Sequence, residues 1–153
     1  MSRSILLPLL AEGEFRSGQD LADALGVSRT AVWKQVNKLG AETGLAIESV
    51  KGRGYRIPGG IELLDAEKVS ALLRPEVSGL LSSLVLLESV DSTNAEALRR
   101  AEAGAVRGLV CSAEQQTAGR GRRGRHWVSP FASNLYLSVL WDFDEGAAAL
   151  EGL

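Results

Sequence analysis

Ser17-Gly-Gln-Asp-Leu21-Ala-Asp-Ala-Leu25-Gly26-Val-Ser28-Arg-Thr-Ala-Val32-Trp-Lys-Gln-Val36-Asn-Lys-Leu39 is the stretch whose reading decides the fold. Ser17 suits a helix N-cap, and Asp20 stands three residues on, where a capping box has Glu. Leu21, Ala22 and Leu25 then share one face. Gly26 supplies the left-handed residue that ends a helix at little cost. Ser28 caps a second helix over residues 29–39, in which Val32, Val36 and Leu39 form one apolar stripe. Thr30, Lys34 and Asn37 lie opposite that stripe, with Lys38 beside them. Trp33, at the stripe's edge, is read as packing.

Two short helices joined by a glycine turn form a helix-turn-helix. The spacing Ala22-x3-Gly26-x5-Val32 resembles that family's pattern: a small residue lets the helices approach, glycine turns the chain, and a β-branched residue fills the angle. Ala46-Ile-Glu-Ser-Val50 and Tyr55-Arg-Ile57 suit strands, and Lys51-Gly-Arg-Gly54 suits the tight turn between them. The segment therefore reads as a winged helix-turn-helix. Its DNA-facing set is Ser28, Arg29, Thr30, Lys34, Asn37 and Lys38 on the second helix, with Lys51 and Arg53 at the wing tip. The alternative is a three-helix protein-interaction module with a solvated basic face.

Charge is compatible with that division. The net charge of −2 hides eight Lys/Arg against six Asp/Glu in residues 1–60, and nine against thirteen in residues 61–153. A mildly basic head permits nucleic-acid binding without proving it. No apolar run is long enough to span a bilayer. The stretch 5–10 lacks a basic lead and a small-residue cleavage site, so it is not read as a signal peptide. One cysteine, Cys111, excludes an internal disulfide and favours a cytoplasmic setting. In a strand, Cys111 reads as a small core residue.

Pro58-Gly-Gly60 closes the wing, and the domain boundary is placed at 62/63. Asp65 can cap a helix over 66–73, with Pro75 just beyond it. Residues 84–90 and 108–113 read as strands, with a helix over 95–103 between them. Asn134-Leu-Tyr-Leu-Ser-Val-Leu-Trp141 reads as a third strand, with alternation broken enough to suggest burial on both faces. Another helix is expected near residue 153. The whole is α+β: a winged head at 1–62, then the opening part of a mixed α/β domain at 63–153.

Between the last two strands lies Gln115-Gln-Thr-Ala-Gly119-Arg-Gly-Arg-Arg-Gly-Arg125-His-Trp127. Glycines let backbone N–H groups crowd an anion, and arginines add forked donors, so the loop suits a phosphate or carboxylate. A flexible basic loop and an RNA-binding Arg-Gly tract are the alternatives, and position between two strands argues against a disordered tail. His126 has no second ligand nearby, so no metal site is expected.

Asp91-Ser-Thr-Asn94, Gln116, Gly119-Arg-Gly-Arg-Arg-Gly-Arg125-x-Trp127, Ser129-Pro130 and Asn134-Leu-Tyr-Leu137 together closely resemble the biotin protein ligases. With the winged head in front, they resemble the bifunctional members, which also repress biotin synthesis. The resemblance implies a class II synthetase-like ligase domain, with biotin, ATP and Mg²⁺ as ligands. It implies biotinyl-5′-AMP as the intermediate and a lysine of biotin carboxyl carrier protein as acceptor. Operator DNA and a homodimer of the complete protein are further implied, with no membrane partner. Ser92, Thr93, Asn94, Gln116, Arg120, Gly121 and Arg122 fall at biotin-binding positions. Arg122, Arg125 and Trp127 fall at the adenylate or nucleotide side.

One departure stands out. The family's Lys-Trp-Pro-Asn-Asp-like motif has no counterpart in these 153 residues. The expectation is therefore a truncated form that lacks the catalytic lysine region and does not biotinylate a carrier at a normal rate. The alternative is a winged-helix regulator whose second part senses a small ligand without ligase activity. Formation of adenylate from biotin and ATP separates the two.

Overall fold

In the computed structural model, the structure describes residues 2–121, 123, 125 and 127–143. The chain divides into two compact units, Met1–Leu63 with Pro130–Ala132, and Leu64–Ser129 with Ser133–Leu153. A single cut at 62/63 does not describe this division. Phe131, 2% exposed, belongs to the same core cluster as Leu6, Leu7 and Leu10.

The first unit opens with α1 (Ser2–Ala11), an element the sequence reading did not assign. Pro8 inside it withholds one backbone donor and argues against a helix. Burial of Leu6, Leu7 and Leu10 outweighs that cost. The pair α2 (Gly18–Leu25) and α3 (Arg29–Thr43) follows. Ser17 Oγ accepts from Asp20 N at 3.1 Å and Ser28 Oγ from Ala31 N at 3.2 Å, so both caps form as the sequence dictates. Gly26 takes the left-handed conformation (φ 64°). Leu21, Ala22, Val32, Val36 and Leu39 are buried. Helix α3 runs one turn past the expected residue 39, because Gly44 rather than Gly40 is its left-handed cap. The wing pairs β1 (Glu48–Val50) with β2 (Gly54–Arg56) in antiparallel register.

The second unit contains α4 (Ala66–Leu72), capped by Asp65, and a short α5 (Pro75–Ser78) begun by Pro75 at its first turn. Then come β3 (Ser83–Leu87), α6 (Thr93–Glu102), β4 (Leu109–Ala113) and β5 (Tyr136–Leu140). Strand β4 is central, parallel to β3 and antiparallel to β5. Leu109, Cys111 and Ala113 of β4 are buried, and Ala97 of α6 packs in the same cluster as Leu109 and Cys111. Burial also pushes the Cys111 thiol pKa up. Strand β5 corrects the expectation of burial on both faces. Tyr136 is buried, whereas Leu137 and Val139 are 45% and 51% exposed. Among the described residues, β5 is an edge strand with one face covered. The helix expected near residue 153 lies outside the described residues.

Glu114, at the end of β4, is 7% exposed, and its Oε1 accepts from Leu64 N at 2.5 Å. Burial raises its pKa, the Leu64 bond opposes that rise, and Glu88 adds to it. The folded pKa thus exceeds the unfolded value, and the native state takes up a proton first. Stability attributable to this group rises as pH falls from above the folded pKa, and is complete below the unfolded one. Glu114→Gln keeps the acceptor and removes the charge. It is expected to match or exceed the parent in stability near neutrality, and to lose that advantage as pH drops toward the unfolded value. Urea denaturation of both proteins across pH reads this directly; an advantage that grows on acidification contradicts it.

Candidate functional site

Parallel pairing of β3 with β4 resumes beyond the strands. Val90 N donates to Gln115 O at 3.1 Å, Thr117 N to Val90 O at 2.8 Å, and Ala118 N to Asp91 O at 2.8 Å. This brings the start of α6 beside Gln116. Ser92 is the N-cap of α6, as its sequence position suggested, and accepts from Ala95 N. Thr93, 4% exposed, is the centre of the polar wall. Gln116 Oε1 accepts from both Thr93 N (2.8 Å) and Thr93 Oγ1 (3.1 Å). A hydroxyl has one proton, so Ser138 Oγ, 2.9 Å away, donates to Thr93 Oγ1. With its oxygen occupied, Gln116 keeps its Nε2 donors for a ligand.

Asp91 sets the start of the helix from outside. Its carboxylate accepts from Ser92 N (2.8 Å) and takes two bonds from Arg99, at 2.7 and 2.9 Å. The Arg99 guanidinium, followed by the Ser92 bond, holds the Asp91 carboxyl well below the usual carboxylate range. Glu96 is lowered by Arg99 and Arg100 in turn. The acidic groups flanking the helix start are thus neutralised by pairing, and an incoming anion meets less repulsion.

A cavity of about 500 Å³ is lined by Asp91, Ser92, Thr93, Asn94, Gln116, Arg120, Trp127 and Ser138, among others. Six of the expected ligand residues thus meet in one place: Ser92, Thr93, Asn94, Gln116, Arg120 and Trp127. Gly121 and Arg125 do not line it; instead Gly121 N donates to Arg125 O at 3.1 Å, closing a turn within the loop. Arg122 and His126 lie outside the described residues. A Cβ on Gly119 would sit 2.6 Å from the Trp127 ring and 3.2 Å from Gln116 Nε2, so glycine there lets both side chains approach. Ser138 was missed. Its only sequence signal is a serine set among the bulky side chains of β5, on the same side as buried Tyr136. No group of three or more His, Cys, Asp or Glu side chains gathers among the described residues. The magnesium implied by resemblance therefore has no such ligand set there, and no step is assigned to it.

In the first unit, Arg29, Thr30, Lys34, Asn37 and Lys38 are exposed along α3. Lys38 lies 3.7 Å from Glu42, which screens part of its charge. Ser28 Oγ is engaged as a cap. Trp33 is 55% exposed, so the reading of it as packing is corrected. The sequence put it at the stripe's edge, and that edge is not covered. A second cavity, about 580 Å³, is lined by Ser17, Gly18, Gln19, Arg29 and the wing residues Ser49–Tyr55. It joins Arg29, Lys51 and Arg53 from the expected DNA-facing set; Lys34, Asn37 and Lys38 lie outside it.

No helix among the described residues is long and apolar enough to cross a membrane. Residues 2–56 match the HTH domain model, and residues 76–151 match the Biotin/lipoate A/B protein ligase family. The chain is 46% identical over 149 residues to the Bifunctional ligase/repressor BirA of Salmonella typhimurium, covering 97% of this chain and 44% of that protein. It is 44% identical to its counterpart in Escherichia coli over the same shares. It is 38% identical to that of Bacillus spizizenii, over 85% of this chain and 39% of the relative. The chain spans less than half the length of these relatives. It combines a helix-turn-helix domain with a segment of the biotin/lipoate A/B protein ligase family, and corresponds to an N-terminal portion of the bifunctional ligase/repressors.

Proposed function

We propose that this chain supplies the operator-binding head and the biotin-binding wall of a cytoplasmic biotin protein ligase that also represses biotin synthesis. The observation that carries the ligase half is the Thr93–Gln116–Ser138 network, which fixes an amide donor in a cavity beside Arg120 and Trp127. Ser92, Thr93, Asn94 and Gln116 meet the ureido ring, whose carbonyl needs donors and whose N–H groups need acceptors. Arg120, Gly121 and Arg122 contact biotin or its adenylate, and Arg122, Arg125 and Trp127 serve the nucleotide side.

In the complete protein, biotin and ATP give biotinyl-5′-AMP and pyrophosphate, and a lysine amine of biotin carboxyl carrier protein then takes the biotinyl group as an amide, with AMP leaving. The first step joins two anions, so positioning and positive charge carry most of the acceleration. Ser28, Arg29, Thr30, Lys34, Asn37, Lys38, Lys51 and Arg53 face operator DNA, bound by a homodimer of the complete protein.

Titrating the 153-residue chain with biotin is expected to perturb the amide resonances of Thr93, Gln116 and Ser138. Millimolar biotin that leaves all three unmoved sinks the ligase half. Duplex DNA at low salt is expected to perturb residues of α3 and the wing, with affinity falling steeply as salt rises. A salt-independent or absent response sinks the repressor half.

A further inference from the structure

Phe15 lies half-buried in the connection between α1 and α2. Two guanidinium groups stand over its ring: the Arg53 carbon is 4.1 Å from the centroid and the Arg56 carbon 4.4 Å. The two arginines differ in what else holds them. Arg56 is paired across the hairpin with Glu48 Oε2 at 2.7 Å. Arg53 is exposed at the wing tip, with no acidic partner among the described residues. The same connection is tied to β2 by two backbone bonds between Arg16 and Tyr55, each 2.9 Å. The ring and the arginine are therefore held in one frame.

A guanidinium attracted to an aromatic ring spends its face on the ring and keeps its N–H donors at its edge. Those edge donors are the ones that grip a phosphate with two bonds. A free arginine on a turn loses rotamer freedom when it meets phosphate; one already held loses less. We propose that Phe15 is the positioning residue that holds Arg53 ready for a DNA phosphate. The proposal rests on the DNA-binding reading of the head.

The test is fluorescence anisotropy of the full chain with a labelled mixed-sequence duplex at low salt. Arg53→Ala is expected to weaken binding roughly ten-fold and to flatten the salt dependence by about one phosphate contact. Phe15→Leu should weaken it roughly three- to five-fold. The double variant should bind no more weakly than Arg53→Ala alone, and Phe15→Trp should restore affinity. Ring-shifted side-chain protons of Arg53 should move in Phe15→Leu and stay shifted in Phe15→Trp, without DNA present. An Arg53→Ala chain that binds normally overturns the wing reading and this proposal with it. A weakened Arg53→Ala beside an unaffected Phe15→Leu, or fully additive losses, overturns the proposal alone. Should Phe15→Leu lower the thermal midpoint, the same cycle with Phe15→Met decides on the same terms.

Discussion

Gly54→Ala is expected to lower the stability of the chain by about 2–4 kcal/mol and to abolish duplex binding by the wing. Gly54 has φ 106°, a conformation that an L side chain adopts only under strain. A methyl group there would overlap the carbonyl oxygen of Arg16. That oxygen accepts from Tyr55 N, while Arg16 N donates to Tyr55 O. Alanine must therefore shift its own φ or push residue 16 away, and either movement breaks the paired bonds. Ile57, 4% exposed, comes directly after β2 and anchors its end in the core, so the strain spreads into packing. Gly52 provides the contrast. Its φ is 84°, yet a Cβ would meet nothing within 4 Å. Gly52→Ala is expected to cost only about 1 kcal/mol of backbone strain. Urea denaturation and anisotropy on both variants make the comparison. Equal losses would mean that the Arg16–Tyr55 tether does not hold the wing.

That contrast marks how far local sequence signals reach. Ser17, Ser28 and Gly26 fixed the ends of α2 and α3 because caps act within a few residues. The hairpin turn was legible for the same reason. Its attachment to Phe15 and Arg16 was not, since partners nearly forty residues apart leave no mark on spacing. Helix α1 was hidden by Pro8, where a strong local signal was overruled by burial of three leucines. In β5, apolar residues occupy both parities of the strand, and periodicity could not tell which parity the rest of the unit covers. In the site, the helix start at Ser92-Thr93-Asn94 was readable as a cap. The role of Gln116 required the β3–β4 register, and that of Ser138 the β4–β5 register.

Gln116→Glu is expected to leave the fold nearly intact and to reduce biotin affinity about 100-fold or more. The parent side chain has two jobs on its two ends. Its Oε1 takes the Thr93 N–H and the Thr93 hydroxyl, two donors of a residue that is 4% exposed. Its Nε2 is left for the cavity. Glutamate retains an oxygen for Thr93, so stability should change by less than about 1 kcal/mol. At the other end it replaces a donor with a carboxylate oxygen. That oxygen repels the ureido carbonyl and the negative end of any adenylate, and a lost bond made worse by charge is worth about 3 kcal/mol. Gln116→Leu separates the jobs in the opposite sense. It strands both Thr93 donors, so it should lose about 2–3 kcal/mol of stability as well as ligand affinity. Calorimetric titration with biotin, alongside urea denaturation, distinguishes the two variants. Acidification should restore part of the Gln116→Glu affinity, because a protonated carboxyl again offers a donor. Parent-like biotin binding by Gln116→Glu at neutral pH would show that the amide does nothing beyond capping α6.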